Sequence, residues 1–251
     1  MSPAGTGVLR YAADARGVAT LTLDRPAARN AFNLALAEAL ALACRRATEE
    51  GAKLVLLRAA GPVFCAGADL KERQGMSDEQ VRARRLRGFL AYAAIEALPM
   101  PSVAVVAGPA VGSGVEIAAA CDFILATPAA SFRTPEALWG TVGATQRLPR
   151  VLGARLARDL MFTGRVLSAA EALAHGLVTR LVAPAALEAT VEEIAATIAK
   201  APPAALRMAK RCIAEGLDRD PRGALATELL AIEENLAAAE WRKAMAQFGK
   251  G

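Results

Sequence analysis

Up to about Gly153 the chain switches repeatedly between a strand period and a helix period, and beyond it the switching nearly stops. Val18-Ala-Thr-Leu-Thr-Leu23 alternates with period two, Leu34 to Thr48 is alanine- and leucine-rich with helical character, and Lys53-Leu-Val-Leu-Leu-Arg58 is β-rich again. Strand, helix, strand is the local unit, which predicts an α/β fold. Ser77-Asp-Glu-Gln80 offers an N-cap with glutamine three residues on, so a helix is expected from Ser77 to the stop at Leu98-Pro-Met-Pro101. Ser102-Val-Ala-Val-Val-Ala107 reads as a buried strand entering a helix at Gly112, and Phe123-Ile-Leu-Ala126 as the strand leaving it. After Gly153 only Leu177-Val-Thr-Arg-Leu-Val182 carries a strand signal. Ala186 to Lys200, Ala204 to Gly216 and Pro221 to Phe248 are predicted helices, separated by Pro202-Pro203 and Asp218-Arg-Asp-Pro221, with proline where helices begin. So many alanines and leucines would leave an apolar face open on a single copy, so this tail is expected to pack against other subunits.

Composition removes several classes of function. A hydrophobic content of 54% over 251 residues is enough for a large core. No run of about 18 uncharged apolar residues is present to span a bilayer, and Met1 to Arg10 lacks the basic start and apolar core of a secretory signal. A cytoplasmic location is therefore expected, with no membrane partner. Cys44, Cys65, Cys121 and Cys212 are widely spaced in apolar or helical contexts and read as buried thiols rather than disulfides or metal ligands. The single histidine, His175, precedes Gly176 at the end of a short helix, where it suits the helix dipole; Ser-His-Asp hydrolysis or a His-rich metal site would have to use it. No metal is expected. The net charge of +5 fits an anionic partner, for which phosphates on a small molecule serve as well as nucleic acid.

The chemistry centres on two glutamates. Glu116 lies in Gly108-Pro-Ala-Val-Gly-Ser-Gly-Val-Glu-Ile-Ala-Ala-Ala-Cys-Asp122, where a glycine-rich turn around Gly112 feeds a helix whose first N–H groups are unsatisfied. Glu136 lies in Phe132-Arg-Thr-Pro-Glu-Ala-Leu-Trp-Gly140. Two carboxylates in different environments are what addition of water to a double bond requires, one ionised to activate water and one protonated to supply a proton to carbon. A second small-residue turn, Ala66-Gly67-Ala68, follows the strand Lys53 to Arg58. If the two turns point the same way, one N–H from each could converge on a carbonyl oxygen. A purely structural reading of Glu116, as a buried carboxylate satisfied by a neighbouring arginine, stands beside the catalytic one.

Phe64-Cys-Ala-Gly-Ala-Asp-Leu-Lys-Glu72, Gly112-Ser-Gly-Val-Glu-Ile-Ala-Ala-Ala-Cys-Asp122, Thr134-Pro-Glu136, Gly140-Thr141, Thr145-Gln-Arg-Leu-Pro149 and Ala172-Leu-Ala-His-Gly-Leu-Val178, with Asp24-Arg-Pro-Ala-Ala-Arg-Asn-Ala31 near the start, resemble the enoyl-CoA hydratase/isomerase (crotonase) family in order and spacing over essentially the whole chain. The resemblance implies an α/β spiral of strand-strand-helix turns over residues 1–195 with a helical oligomerisation region over 196–251, building a homotrimer or a hexamer. It implies an acyl-CoA substrate, coenzyme A being part of the substrate and no cofactor being needed. Its thioester oxygen would meet the N–H groups of Ala68 and Ser113, with serine where the family usually has glycine. Ala66, Asp69, Leu70 and Lys71 would line the adenine and pantetheine path, and Arg25, Arg29 and Lys71 would be candidates for the phosphates, Lys71 the best match. Trp139 would be a wall of the acyl pocket.

Hydratases of the family resemble this chain in carrying both glutamates, Glu116 to activate water toward C3 and Glu136 to protonate C2; isomerases commonly lack the first. The dehalogenase branch needs an aspartate nucleophile and a histidine, and His175 lies in the wrong motif. Fatty-acid oxidation, branched-amino-acid breakdown and aromatic-acid degradation would all suit such a site. One departure is expected to reshape the acyl pocket or shift Glu136: only Val142-Gly143-Ala144 stands where the family carries a longer glycine-rich loop. Gln247-Phe-Gly-Lys-Gly251 is shorter than a usual family ending and gives little support to its completing a neighbour's coenzyme A site. A rival reading comes from Val81-Arg-Ala-Arg-Arg-Leu-Arg-Gly-Phe-Leu90, four arginines on one predicted helix, and from similarity of Phe64 to Ser77 to the methylglutaconyl-CoA hydratase branch, which includes an RNA-binding member. Aromatics make up only 4% of the chain, leaving few platforms for base stacking, so nucleic acid is not the expected partner.

Overall fold

A computed structural model of the chain describes residues 7–238 and 240–247; Phe248 to Gly251, which include most of the C-terminal segment singled out above, lie outside the described residues. The chain opens with a hairpin of β1 (Leu9–Ala13) and β2 (Val18–Leu23), then α1 (Leu34–Glu49), β3 (Leu54–Ala59), the short α2 (Leu70–Arg73) and α3 (Asp78–Glu96). There follow β4 (Ser102–Val106), β5 (Ala110–Val111), α4 (Ser113–Ala119), β6 (Phe123–Ala126) and β7 (Ser131–Arg133). The remainder is α5 (Arg147–Leu152), α6 (Ala154–Thr163), β8 (Leu167–Ser168), α7 (Ala169–Ala174), β9 (Arg180–Leu181), and the helices α8 (Leu187–Lys200), α9 (Pro203–Leu217), α10 (Pro221–Ala238) and α11 (Glu240–Gln247).

The main sheet has the order β1-β2-β3-β4-β6-β9, antiparallel only at the hairpin. A second sheet orders β5-β7-β8, and single parallel bridges, Cys65 to Ala110 and Phe32 to Ala68, continue its pattern toward the N-terminus. Each coil of chain thus contributes to the main sheet, then to the small one, then a helix: β3, Cys65 and α2–α3; β4, β5 and α4. The α/β spiral implied by the motifs is the observed architecture.

Parallel strands buried on both faces explain the continuous apolar run of β4, all five residues of which are buried. On one face Leu21, Leu57, Ala104 and Ala126 pack against α1 and α4; on the other Val18, Leu54, Val103 and Leu125 pack against Leu187, Val191 and Ile194 of α8. Each leucine, valine or isoleucine among them contributes about 1.5–3 kcal/mol of burial, the alanines less. α8 runs across residue 195, with Ala195 and Ala199 both in the sheet contact, so the expected division of the chain falls inside this helix.

α3 starts where the sequence marks it: Ser77 Oγ accepts from the Gln80 N–H at 3.3 Å, and Gln80 Oε1 accepts from the Ser77 N–H at 2.8 Å. Its arginines divide. Arg84 is buried, bonded to Glu72 and to the Phe32 carbonyl, and Arg85 bonds Thr141 Oγ1 at 2.7 Å, while Arg82 and Arg87 are exposed. Two of the four cations in the proposed nucleic-acid stripe are therefore committed inside the fold. Cys44, Cys65 and Cys121 are free and buried, and Cys212 is free and partly buried. Among the described residues no helix is long and apolar enough to cross a membrane.

Candidate active site

The two small-residue turns meet. A Cβ placed on Gly67 would lie 3.2 Å from the Val111 carbonyl oxygen, and one placed on Gly112 would lie 3.9 Å from the Gly67 Cα, so neighbouring coils touch here backbone to backbone. The bridge between Phe32 and Ala68 engages the Gly67 carbonyl and the Asp69 N–H, each with Phe32, and leaves the Ala68 N–H with no backbone acceptor. Gly112, at φ 50° and ψ −110°, is the N-cap of α4, and its own N–H donates to the Arg133 carbonyl at 2.8 Å. Ser113 is the first residue of that helix, so its N–H has no acceptor within the helix.

Behind the turns lies a cavity of about 410 Å³. Of the sequence-selected residues, Arg29, Ala66, Ala68, Leu70, Gly112, Ser113, Glu116, Glu136 and Trp139 line it. Arg25, Asp69 and Lys71 do not. Arg25 bonds Asp69 at 3.0 Å and the Ala31 carbonyl, while Asp69 accepts from the Lys71 and Glu72 N–H groups as the N-cap of α2. Burial works against the Asp69 charge, but Arg25 and those N–H groups hold its carboxyl below its ordinary range. This pair builds the turn and leaves the wall to its neighbours. Lys71 sits exposed on the outer side of the same helical turn. Trp139 is 71% exposed, so it stands at the mouth of the cavity and not in the core.

The two glutamates reach the cavity from unlike backbones. Glu116 sits on the first turn of α4 and is 5% exposed, with both oxygens engaged: Oε1 accepts from the Ala144 N–H at 2.5 Å and Oε2 from Arg147 Nη1 at 2.8 Å. Glu136 opens a 3-10 turn, Glu136–Trp139, and its side chain lies in the space left by Gly112 and Gly143. A Cβ on Gly112 would be 2.5 Å from Glu136 Oε1. Among the described residues Glu136 Oε2 finds no hydrogen-bond partner, and it is buried. Burial, and then the nearby Glu116 charge, raise the Glu136 carboxyl above its ordinary value; a backbone hydrogen bond of its own residue and the Arg85 charge oppose this.

Several lining groups carry no signal that the motifs would have shown. Tyr92 on α3 stacks on Phe32 with ring centroids 5.4 Å apart, and burial pushes its hydroxyl well above the usual range. Arg73 is partly buried, and its Nε has no partner. Burial and then the charges of Arg84 and Arg85 lower its basicity. Arg147, inside the Thr145 to Pro149 motif, is the cation that a buried Glu116 needs. The short Val142 to Ala144 loop is held by Arg85, whose Nη2 donates to the Val142 carbonyl at 2.5 Å, and it ends in Ala144 at φ 55°, a left-handed conformation uncommon for a residue with a Cβ.

Relatives of known name and structure share this chain's sequence and fold. Residues 13–250 match the sequence model of the family described as Enoyl-CoA hydratase/isomerase. The chain is 37% identical over 236 residues to the putative enoyl-CoA hydratase/isomerase YngF of Bacillus subtilis, covering 92% of this chain and 91% of that one. It is 38% identical over 244 residues to the mitochondrial enoyl-CoA hydratase domain-containing protein 2 of Bos taurus, covering 93% and 82%. The crystal structure of enoyl-CoA hydratase from Bacillus anthracis superposes with a TM-score of 0.93 at 36% identity, over 97% of this chain and 96% of that one. By this match over nearly its whole length and by its α/β spiral, the chain belongs to the enoyl-CoA hydratase/isomerase family.

Proposed function

We propose that the protein is a hydratase, adding water reversibly and in the syn sense across the double bond of a 2-enoyl-CoA thioester. The observation that carries this reading is the contrast between the glutamates: Glu116 has both oxygens bonded to donors, one of them a cation, whereas Glu136 Oε2 is buried without a partner and its carboxyl is raised. The first arrangement favours a carboxylate and the second a carboxylic acid, the division of roles that hydration needs.

In this mechanism the thioester oxygen accepts from the Ala68 and Ser113 N–H groups, which stabilise the enolate as charge moves onto it. Glu116 takes a proton from water as the oxygen attacks C3. The π electrons move toward the thioester, and Glu136 delivers a proton to C2. The C3–O and C2–H bonds replace the π bond, Glu116 ends protonated and Glu136 ionised, and a proton returns from one to the other through solvent. Arg29 at the rim, with Ala66 and Leu70 in the wall, suits the coenzyme A portion, and Lys71 is near enough in sequence to extend that surface. Trp139, Phe89 and Val142, all exposed at the mouth, suit the acyl portion. Coenzyme A arrives as part of the substrate.

Names of relatives that pair hydratase with isomerase support the family chemistry and leave the choice between the two to the glutamates. Ile213 and Leu217 of α9 and Leu225, Leu229 and Leu230 of α10 are exposed, which supports packing of these helices between subunits in a trimer or hexamer. The deciding experiment is loss of the conjugated thioester absorbance on mixing with crotonyl-CoA, with product mass. Rapid loss with a gain of one water is the expected result. Migration of the double bond in a 3-enoyl-CoA, without hydration of any 2-enoyl-CoA, would replace the reading with isomerisation.

A further inference from the structure

The hydratase reading gives Glu116 a task but does not say what aims it. Among the described residues, Glu116 is held by two groups that arrive together, one from the last residue of the shortened loop and one from the first residue of α5. Ala144 N–H reaches Oε1 at 2.5 Å, and three residues later Arg147 Nη1 reaches Oε2 at 2.8 Å. Arg147 is itself fixed. Its Nε and Nη2 donate to the two oxygens of Glu96, at the last residue of α3, at 2.6 and 2.7 Å, and its guanidinium carbon lies 5.4 Å from the centre of the Tyr92 ring. A planar guanidinium with a bidentate partner on one edge has little freedom on the other.

We propose that Arg147, anchored on Glu96, is a positioning residue for hydration, which with the Ala144 N–H fixes the plane of the Glu116 carboxylate so that a remaining lone pair faces the water that attacks C3. A carboxylate offers about four acceptor sites. The clamp uses one on each oxygen, leaving capacity for water on the cavity side, where Glu116 joins Ser113 and Glu136 in the wall. A structural carboxylate satisfied by an arginine and a catalytic one are thus the same residue. The inference rests on the hydratase reading.

The shortened loop enters the same account. Ala144 is buried and sits at φ 55°, a conformation that a residue with a Cβ keeps only where its surroundings hold it. Its N–H on Glu116 and the Arg85 bonds to Thr141 and Val142 are the contacts that hold it.

The test compares wild type, Arg147→Gln, Arg147→Lys and Glu116→Gln, each measured for hydration of crotonyl-CoA and for exchange of the C2 proton of a saturated acyl-CoA with deuterium oxide. Arg147→Gln is expected to lower kcat for hydration by about 10- to 100-fold with KM within a factor of about three and with C2 exchange, the work of Glu136, retained. Arg147→Lys, which keeps the charge but loses the planar fork, is expected to recover part of that loss. Equal losses in hydration and exchange would make Arg147 a structural residue only and overturn the proposal, as would unchanged hydration in Arg147→Gln. If Arg147→Gln does not fold, Glu96→Gln provides the second reading: a selective fall in hydration supports the anchor, and no change or a matched fall in both activities rejects it. Absence of hydration in wild type overturns the hydratase reading itself, a result distinct from any failure among the variants.

Discussion

Glu116 is the more buried of the two glutamates, and Glu136 is the one whose charge is disfavoured. Their difference lies in partners and not in depth alone. Glu116 takes two donors into a nearly closed site, so its desolvation is offset. Glu136 has more solvent and an oxygen with nothing to accept from, and it also faces the charge of Glu116. The contrast teaches that a helix first turn plus an arginine offsets the burial of one carboxylate, while a 3-10 turn backed by glycines leaves the other without that compensation, within one cavity.

The sharpest way to break the comparison is Glu136→Gln, which keeps shape and removes the proton supply. Hydration and C2 exchange should both fall by roughly a thousand-fold while coenzyme A thioester binding, followed by calorimetry, stays near wild type. A rate within a factor of a few would remove Glu136 from the chemistry. Glu116→Gln is next: hydration should drop by about 100-fold or more and exchange at C2 much less, as read by deuterium incorporation. Matched losses would mean that the two carboxylates act as one unit. Gly112→Ala should cost about 100-fold in kcat, because the new Cβ would lie 2.5 Å from Glu136 Oε1 at a backbone φ of 50°, and it would displace the acid without touching its identity.

The smallest effect concerns stability and pH. The folded-state carboxyl of Glu136 is raised above its unfolded value. Below the ordinary carboxylate range both states are protonated. As pH rises, the unfolded chain releases its proton first, and the native state loses stability relative to it. Glu136→Gln lacks this loss. Its Tm should match wild type near about pH 4 and exceed it at pH 8. A constant difference across that range would mean that Glu136 titrates normally.

Much of this is legible in the sequence. β2, β4, β6 and α1 follow from apolar periodicity, and α3 from its Ser77–Gln80 box. The small sheet was not: β5, β7 and β8 are two or three residues long, too short for alternation to register, and are fixed by their neighbours. The Leu177 to Val182 run narrows to Arg180–Leu181 because Leu177 and Val178 turn into the core. Within the site, Glu116, Glu136 and the turns could be found from local motifs. Arg147, Tyr92 and Arg85 could not, since their roles depend on which residues of distant sequence they meet.

The bridge between Cys65 and Ala110 has a mechanical meaning. The turns bearing Ala68 and Ser113 follow neighbouring strands of the small sheet, and neighbouring strands lie about 4.8 Å apart whatever their side chains. The spacing of the strands that lead into those turns is then a property of the sheet, and loops elsewhere can lengthen or shrink without resetting it. The short loop beside Glu136 therefore leaves the spacing of the strands that carry Ala68 and Ser113 untouched.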